Sequence, residues 1–131
     1  MADYRTPLAR ARGLGAAGNG SKHWIGQRVS ALALLVLGLW FVWSLALHSG
    51  FDYDAAIAWV RRPHVAVTLL LTVAMGFYHM YLGLRVVIED YVHQIALKSA
   101  LLVMVFAGSC LMGVTAIVSV LRIFFGGSVD G

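Results

Sequence analysis

The chain has 131 residues, of which 60% are hydrophobic and only 12% charged, and its mean hydropathy is +0.81. A soluble domain this small needs far more polar surface to cover its core, so composition excludes one. The formal charge of +4 needs no nucleic acid as partner, because Arg5, Arg10, Arg12, Lys22 and Arg28 carry most of it at one end. There it suits an anionic membrane face or an acidic partner surface.

Residues 1–22 read as a cytoplasmic tail of little regular structure, rich in Gly, Ala and Arg. The tail is Arg-rich like an organellar transit peptide, but it contains Asp3 and little serine. The first apolar run starts too late and is too long for a secretory signal. Residues 23–131 read as an anchor domain with helices over about 24–48, 64–92 and 96–125. Their apolar centres, 29–47, 65–88 and 99–121, each reach the roughly 20 residues that a helix needs to cross a hydrocarbon core of about 30 Å. The runs are continuous, whereas barrel strands alternate at every second residue, so helices are predicted rather than strands.

Trp24 falls at the headgroup level of the first span, and Trp40 and Trp43 are expected to do the same near its far end. The connection "HSGFDYDAAIAWVRRP" offers Asp52 and Asp54 as N-caps for a short amphipathic surface helix. Pro63 then opens the second span as a first-turn proline. A short link makes the second and third spans antiparallel neighbours, and Gly126 and Gly127 end the third. Cys110, the single cysteine, lies in the third span, can form no internal disulfide, and is read as a packing residue. The expected fold is all-α: an integral membrane bundle of three transmembrane helices that packs with a partner membrane subunit.

Charge sets the orientation. Arg5, Arg10, Arg12, Lys22, Arg28, Arg85 and Lys98 fall on one side, and Arg61, Arg62 and Arg122 on the other. The positive-inside rule therefore puts the N-terminus in the cytoplasm.

Polar residues inside a membrane segment are costly and mark functional sites by default. His79 interrupts the second span well inside the hydrocarbon region. Three readings stand side by side: a hydrogen bond to a neighbouring helix, a small water pocket, or an axial ligand to haem iron. Gly76 at i−3 and Gly83 at i+4 lie on the same helical face and would clear a flat slot for a porphyrin edge, although glycines also serve close helix packing. Arg28 is the leading partner for a haem propionate, with His23 and Arg85 weaker ones, and it reads equally as a residue snorkelling to the headgroups. The other histidines lie near span ends, so a second ligand would come from another subunit. Tyr91 lies twelve residues beyond His79. That is roughly 18 Å along the helix axis, so the two cannot serve the same iron. Beside Asp90 at the membrane boundary, Tyr91 suits the polar head of an amphiphilic substrate such as ubiquinone; an interfacial tyrosine and a solvated acidic end are the structural alternatives.

Together, His79, Gly83, Asp90 and Tyr91 in the pattern H-x-x-x-G-L-R-x-x-x-E-D-Y, with Arg28–Val29–Ser30–Ala31 opening the first span, resemble the D-type hydrophobic membrane-anchor subunits of bacterial succinate dehydrogenase, respiratory complex II. The resemblance implies that His79 is one axial ligand of a haem b whose other histidine belongs to a cytochrome b subunit. It implies that Tyr91 donates a hydrogen bond to a quinone carbonyl with Asp90 beside it, and that Arg28 helps to hold a propionate. Electrons would come from iron–sulfur clusters of a peripheral subunit, supplied by a flavoprotein that carries FAD and oxidises succinate. The chain would then be a non-catalytic anchor in the bacterial inner membrane, serving electron transport and the tricarboxylic acid cycle. The rival readings are a fumarate reductase or other b-type cytochrome anchor, and a cofactor-free structural anchor.

Overall fold

A computed structural model describes residues 6–8, 17–48, 50 and 52–126. Most of the expected tail and Gly127 lie outside the described residues. The elements are α1 (Ala17–Leu47), α2 (Tyr53–Val60), α3 (Pro63–Tyr91) and α4 (Ile95–Phe124). Helices α1, α3 and α4 have 31, 29 and 30 residues. At about 1.5 Å per residue each exceeds the hydrocarbon thickness, and its ends reach the headgroups. All three are long and apolar enough to cross a membrane.

The elements start and stop where local chemistry dictates. Asp52 caps α2, its carboxylate accepting from the Ala55 N–H at 2.8 Å. Arg62 is the N-cap of α3 and Pro63 its first residue, where a missing N–H costs nothing. The Val92 N–H returns to the Ile88 carbonyl at 3.0 Å, and three residues later α4 begins, so α3 and α4 run antiparallel. At the far end Gly126 takes a left-handed φ of +75°. There the Arg61 Nε–H donates to the Ile123 carbonyl at 3.2 Å. Helix α1 differs from expectation at its start: it is continuous from Ala17 across the anticipated boundary at residue 22. Extending an existing helix adds one bond per residue fixed and needs no new nucleus, which carries α1 back through Gly18 and Gly20.

Helix α3 is the centre of the fold. α1 and α4 both pack along it, yet their backbones do not approach each other, so the three form a row rather than a closed bundle. Among the described residues the buried apolar side chains are only Trp59, Val65, Ala66, Leu82 and Ile88, while Leu32, Leu35, Val36, Leu39, Val42 and Trp43 stand exposed along α1. In water this would be untenable; in lipid those surfaces are already in an apolar solvent. Trp40 has a partner within the chain. It stacks on Trp59 with centroids 6.1 Å apart and rings 14° from parallel, joining α2 to α1. His48 leans on the same Trp59 ring at 6.2 Å.

Candidate functional site

Two close approaches bring α1 onto α3. A Cβ on Gly26 would come within 2.9 Å of the Tyr78 hydroxyl oxygen, so only glycine fits there without a shift. Four residues on, Ser30 is 1% exposed and faces His79. The Ser30 hydroxyl donates to the Gln27 backbone carbonyl at 3.1 Å, and its oxygen lies 2.9 Å from His79 Nδ1. The Gln27 side-chain nitrogen lies 3.4 Å from His79 Nε2. Gln27 Oε1, by contrast, is the one buried side-chain oxygen or nitrogen without a partner among the described residues. In a low-dielectric interior such an atom costs about 1–3 kcal/mol, the kind of expense that marks a site.

Thr68, Thr72, Thr115 and Ser119 handle their hydroxyls differently. Each donates to the carbonyl four residues back in its own helix, and so satisfies itself in the bilayer. Ser30 also donates to its own helix, but its oxygen in addition meets His79 and so joins two helices.

The flanking glycines divide. Gly76 opens onto free space, whereas a Cβ on Gly83 would lie 3.6 Å from the Gln27 side-chain nitrogen. The space that Gly83 leaves is thus where the Gln27 amide rests. A cleft of about 240 Å³ lined by His23, Trp24, Gln27, Leu82 and Val86 adjoins it, and a second cleft of about 350 Å³ takes in Lys22, Gly26, Ser30 and Tyr78. This site fits an iron ligand in its chemistry. His79 is half-buried, its Nε2 meets only a flexible amide, and that amide has an oxygen with nothing to lose by moving.

The other sequence-predicted residues stand apart from His79. Arg28 is exposed, its guanidinium carbon 5.4 Å from the Trp24 ring centroid, a cation–π contact. Arg85 Nε–H donates to the Glu89 carboxylate at 2.8 Å. Asp90 and Tyr91 close α3, and both are exposed, Tyr91 at 78%. Gln27 lies outside the residues singled out in the sequence, and Ser30 entered only as part of the Arg28–Val29–Ser30–Ala31 motif. Their signal was present: two polar residues three apart, hence on one face of a helix, at the mouth of an otherwise apolar span.

The comparisons agree with this architecture. The family profile described as succinate dehydrogenase/fumarate reductase transmembrane subunit matches residues 2–121. The chain is 35% identical over 118 residues to the succinate dehydrogenase hydrophobic membrane anchor subunit of Rickettsia bellii, covering 90% of this chain and 94% of that one. Over 104 residues it is 34% identical to the Rickettsia conorii subunit of the same name, covering 79% and 82% of the two chains. Over 105 residues it is 35% identical to that of Paracoccus denitrificans, covering 80% and 81%. No solved structure matches the chain significantly. A three-span helical chain that the profile matches along nearly all of its helical row belongs to the succinate dehydrogenase/fumarate reductase transmembrane subunit family.

Proposed function

We propose that the chain is the membrane-anchor subunit of a succinate:quinone oxidoreductase, giving one axial ligand to haem b and one wall to the ubiquinone-reduction site. The anchor does no chemistry alone. The observation that carries the reading is His79 inside the membrane, with Nε2 covered only by the Gln27 amide. Haem b would be held by His79 and by a histidine of a cytochrome b subunit, and when bound it would supply one-electron storage. Gly76 and Gly83 keep bulk off the ligand face, and Arg28, swinging off Trp24, carries the cation that a propionate at the headgroup level needs. The flavoprotein and iron–sulfur subunits dock on the cytoplasmic face of the inner membrane, where the basic N-terminal residues add contacts.

At the end of α3, Tyr91 donates its hydroxyl hydrogen to a quinone carbonyl oxygen, polarising it as electrons arrive, and Asp90 stands beside it to help in proton delivery. The axial separation of roughly 18 Å from His79 to Tyr91 makes these two stations on one helix. Each is completed by a partner.

One observation favours a second reading, a cofactor-free anchor: both His79 nitrogens have neighbours within this chain, as a packing histidine would. A reduced-minus-oxidised spectrum of the intact membrane complex separates the two. A b-type band is the expected result, and its absence from a fully assembled complex would leave only the structural anchor.

A further inference from the structure

We propose that Ser30 and Gln27 of α1 fix the tautomer of His79 and, given the haem reading above, tune it as a ligand. A serine hydroxyl carries one proton and two lone pairs. The Ser30 oxygen has two neighbours, the Gln27 carbonyl at 3.1 Å and His79 Nδ1 at 2.9 Å. A carbonyl can only accept, so the Ser30 proton lies between Oγ and that carbonyl. Were it turned to Nδ1, two bare oxygens would face each other at 3.1 Å inside an apolar protein. Ser30 therefore accepts from His79, and Nδ1 is the protonated nitrogen.

That assignment leaves Nε2 with the lone pair, the form a metal ligand must have. It also agrees with the other contact, since the group facing Nε2 is the Gln27 NH₂, a donor meeting an acceptor. With the opposite tautomer, two N–H groups would point at each other while the Gln27 carbonyl oxygen stood unused a bond away. Orientation of the amide and tautomer of the ring thus determine one another. The relay runs from the α1 backbone through Ser30 to the ring, so it holds the ring plane as well as the proton.

Gln27 is a removable cap. Its contact to Nε2 is long at 3.4 Å, and its Oε1 has no partner to lose. Displacing it costs little and frees the lone pair beside Gly83. The hydrogen bond from Nδ1–H to Ser30 then makes the imidazole a stronger donor, which favours the oxidised iron and lowers its potential. Ser30 is in this sense a positioning residue that acts through His79.

The test is Ser30→Ala in the intact complex, with the haem midpoint potential and the low-spin electron paramagnetic resonance signal as readouts. The potential is expected to rise, by up to the roughly 59 mV that corresponds to a tenfold change for a one-electron couple. Ser30→Thr, which keeps an oxygen able to bond the preceding turn, should restore the wild-type value. An unchanged potential and signal in Ser30→Ala with haem retained would overturn the inference while leaving the haem reading intact. Should Ser30→Ala not assemble, Ser30→Cys must show the same shift, because sulfur is a weak acceptor; no shift overturns the inference. If the wild-type complex has no b-type band, the haem reading itself has failed. The ¹⁵N shifts of histidine-labelled complex then decide the tautomer alone: a protonated Nδ1 supports the relay and a protonated Nε2 overturns it.

Discussion

The seam between α1 and α3 and the seam between α3 and α4 use the same device to opposite ends. Each has a glycine that lets a large ring in: Gly26 receives Tyr78, and Gly113, itself buried, receives Phe77, whose Cγ would lie 3.3 Å from an added Cβ. From there they diverge. The α3–α4 seam continues with Tyr81 edge-on to Phe106, centroids 5.7 Å apart, and an apolar cleft of about 350 Å³ that takes in Ala74, Cys110 and Ile117. The α1–α3 seam continues with Ser30, Gln27 and His79. In lipid, helices gain nothing from hiding apolar surface from one another, so close van der Waals packing is enough to hold a seam. The polar trio adds interhelical hydrogen bonds to that packing, at the cost of one unpartnered oxygen on Gln27.

The strongest way to break this contrast is His79→Ala. If His79 is a haem ligand as proposed, the b-type spectrum of the complex should lose its low-spin character, even where haem remains held by the partner subunit. Unaltered low-spin features would make His79 a packing residue and the two seams alike.

Gly113→Leu attacks the other side, by forcing a branched side chain against the Phe77 ring. Overpacking of this kind should cost about 1–3 kcal/mol, read as a lower thermal midpoint of the complex. The haem spectrum should not change. A spectral change without a loss of stability would show that the α3–α4 seam does more than hold.

Tyr91→Phe sharpens the division along α3 itself. At 78% exposure the hydroxyl holds up no packing, so assembly and spectrum should be wild type. Quinone reduction should fall about tenfold, the worth of one hydrogen bond of about 1.4 kcal/mol realised in the transition state. An unchanged rate would remove Tyr91 from the quinone site.

How far the sequence reaches follows from what is local in it. The three spans were legible because apolar runs of membrane length are a property of contiguous residues, and α2 because Asp52 and Pro63 bracket it. His79 was legible as a cost, a polar ring where none should be. Its partners were not, since Ser30 and Gln27 lie 49 and 52 residues away and only the pairing of α1 with α3 brings them near. The partner of Trp40 was hidden for the same reason: only the folding back of α2 brings Trp59 onto it. The neighbour of Gly83 was equally hidden: the Gln27 side-chain nitrogen, on another helix, lies 3.6 Å from where its Cβ would be. The arrangement in a row, with α1 and α4 apart, leaves no trace in any one span.

The smallest effect belongs to Arg61→Ala, and it probes whether the two ends of the molecule are independent. The last carbonyls of α4 have no partners within the helix, and that of Ile123 already accepts from the Gly126 N–H at 3.1 Å. Arg61, at the junction of α2 and α3, donates Nε–H to that of Ile123 at 3.2 Å. The positive guanidinium also faces the negative end of the α4 dipole, while Gly126 turns the chain away in its left-handed conformation. Arg61 is exposed, so solvent screens the charge. The contribution is then about 0.5 kcal/mol, or about a degree or two of thermal midpoint. His79 lies sixteen residues further along α3 than Pro63. That places it roughly 24 Å away, well beyond the reach of a screened surface charge. Haem potential and quinone reduction should therefore be unmoved. A shift in either would mean that the end of α4 communicates with the polar seam through α3, and that the apolar seam is part of the mechanism after all.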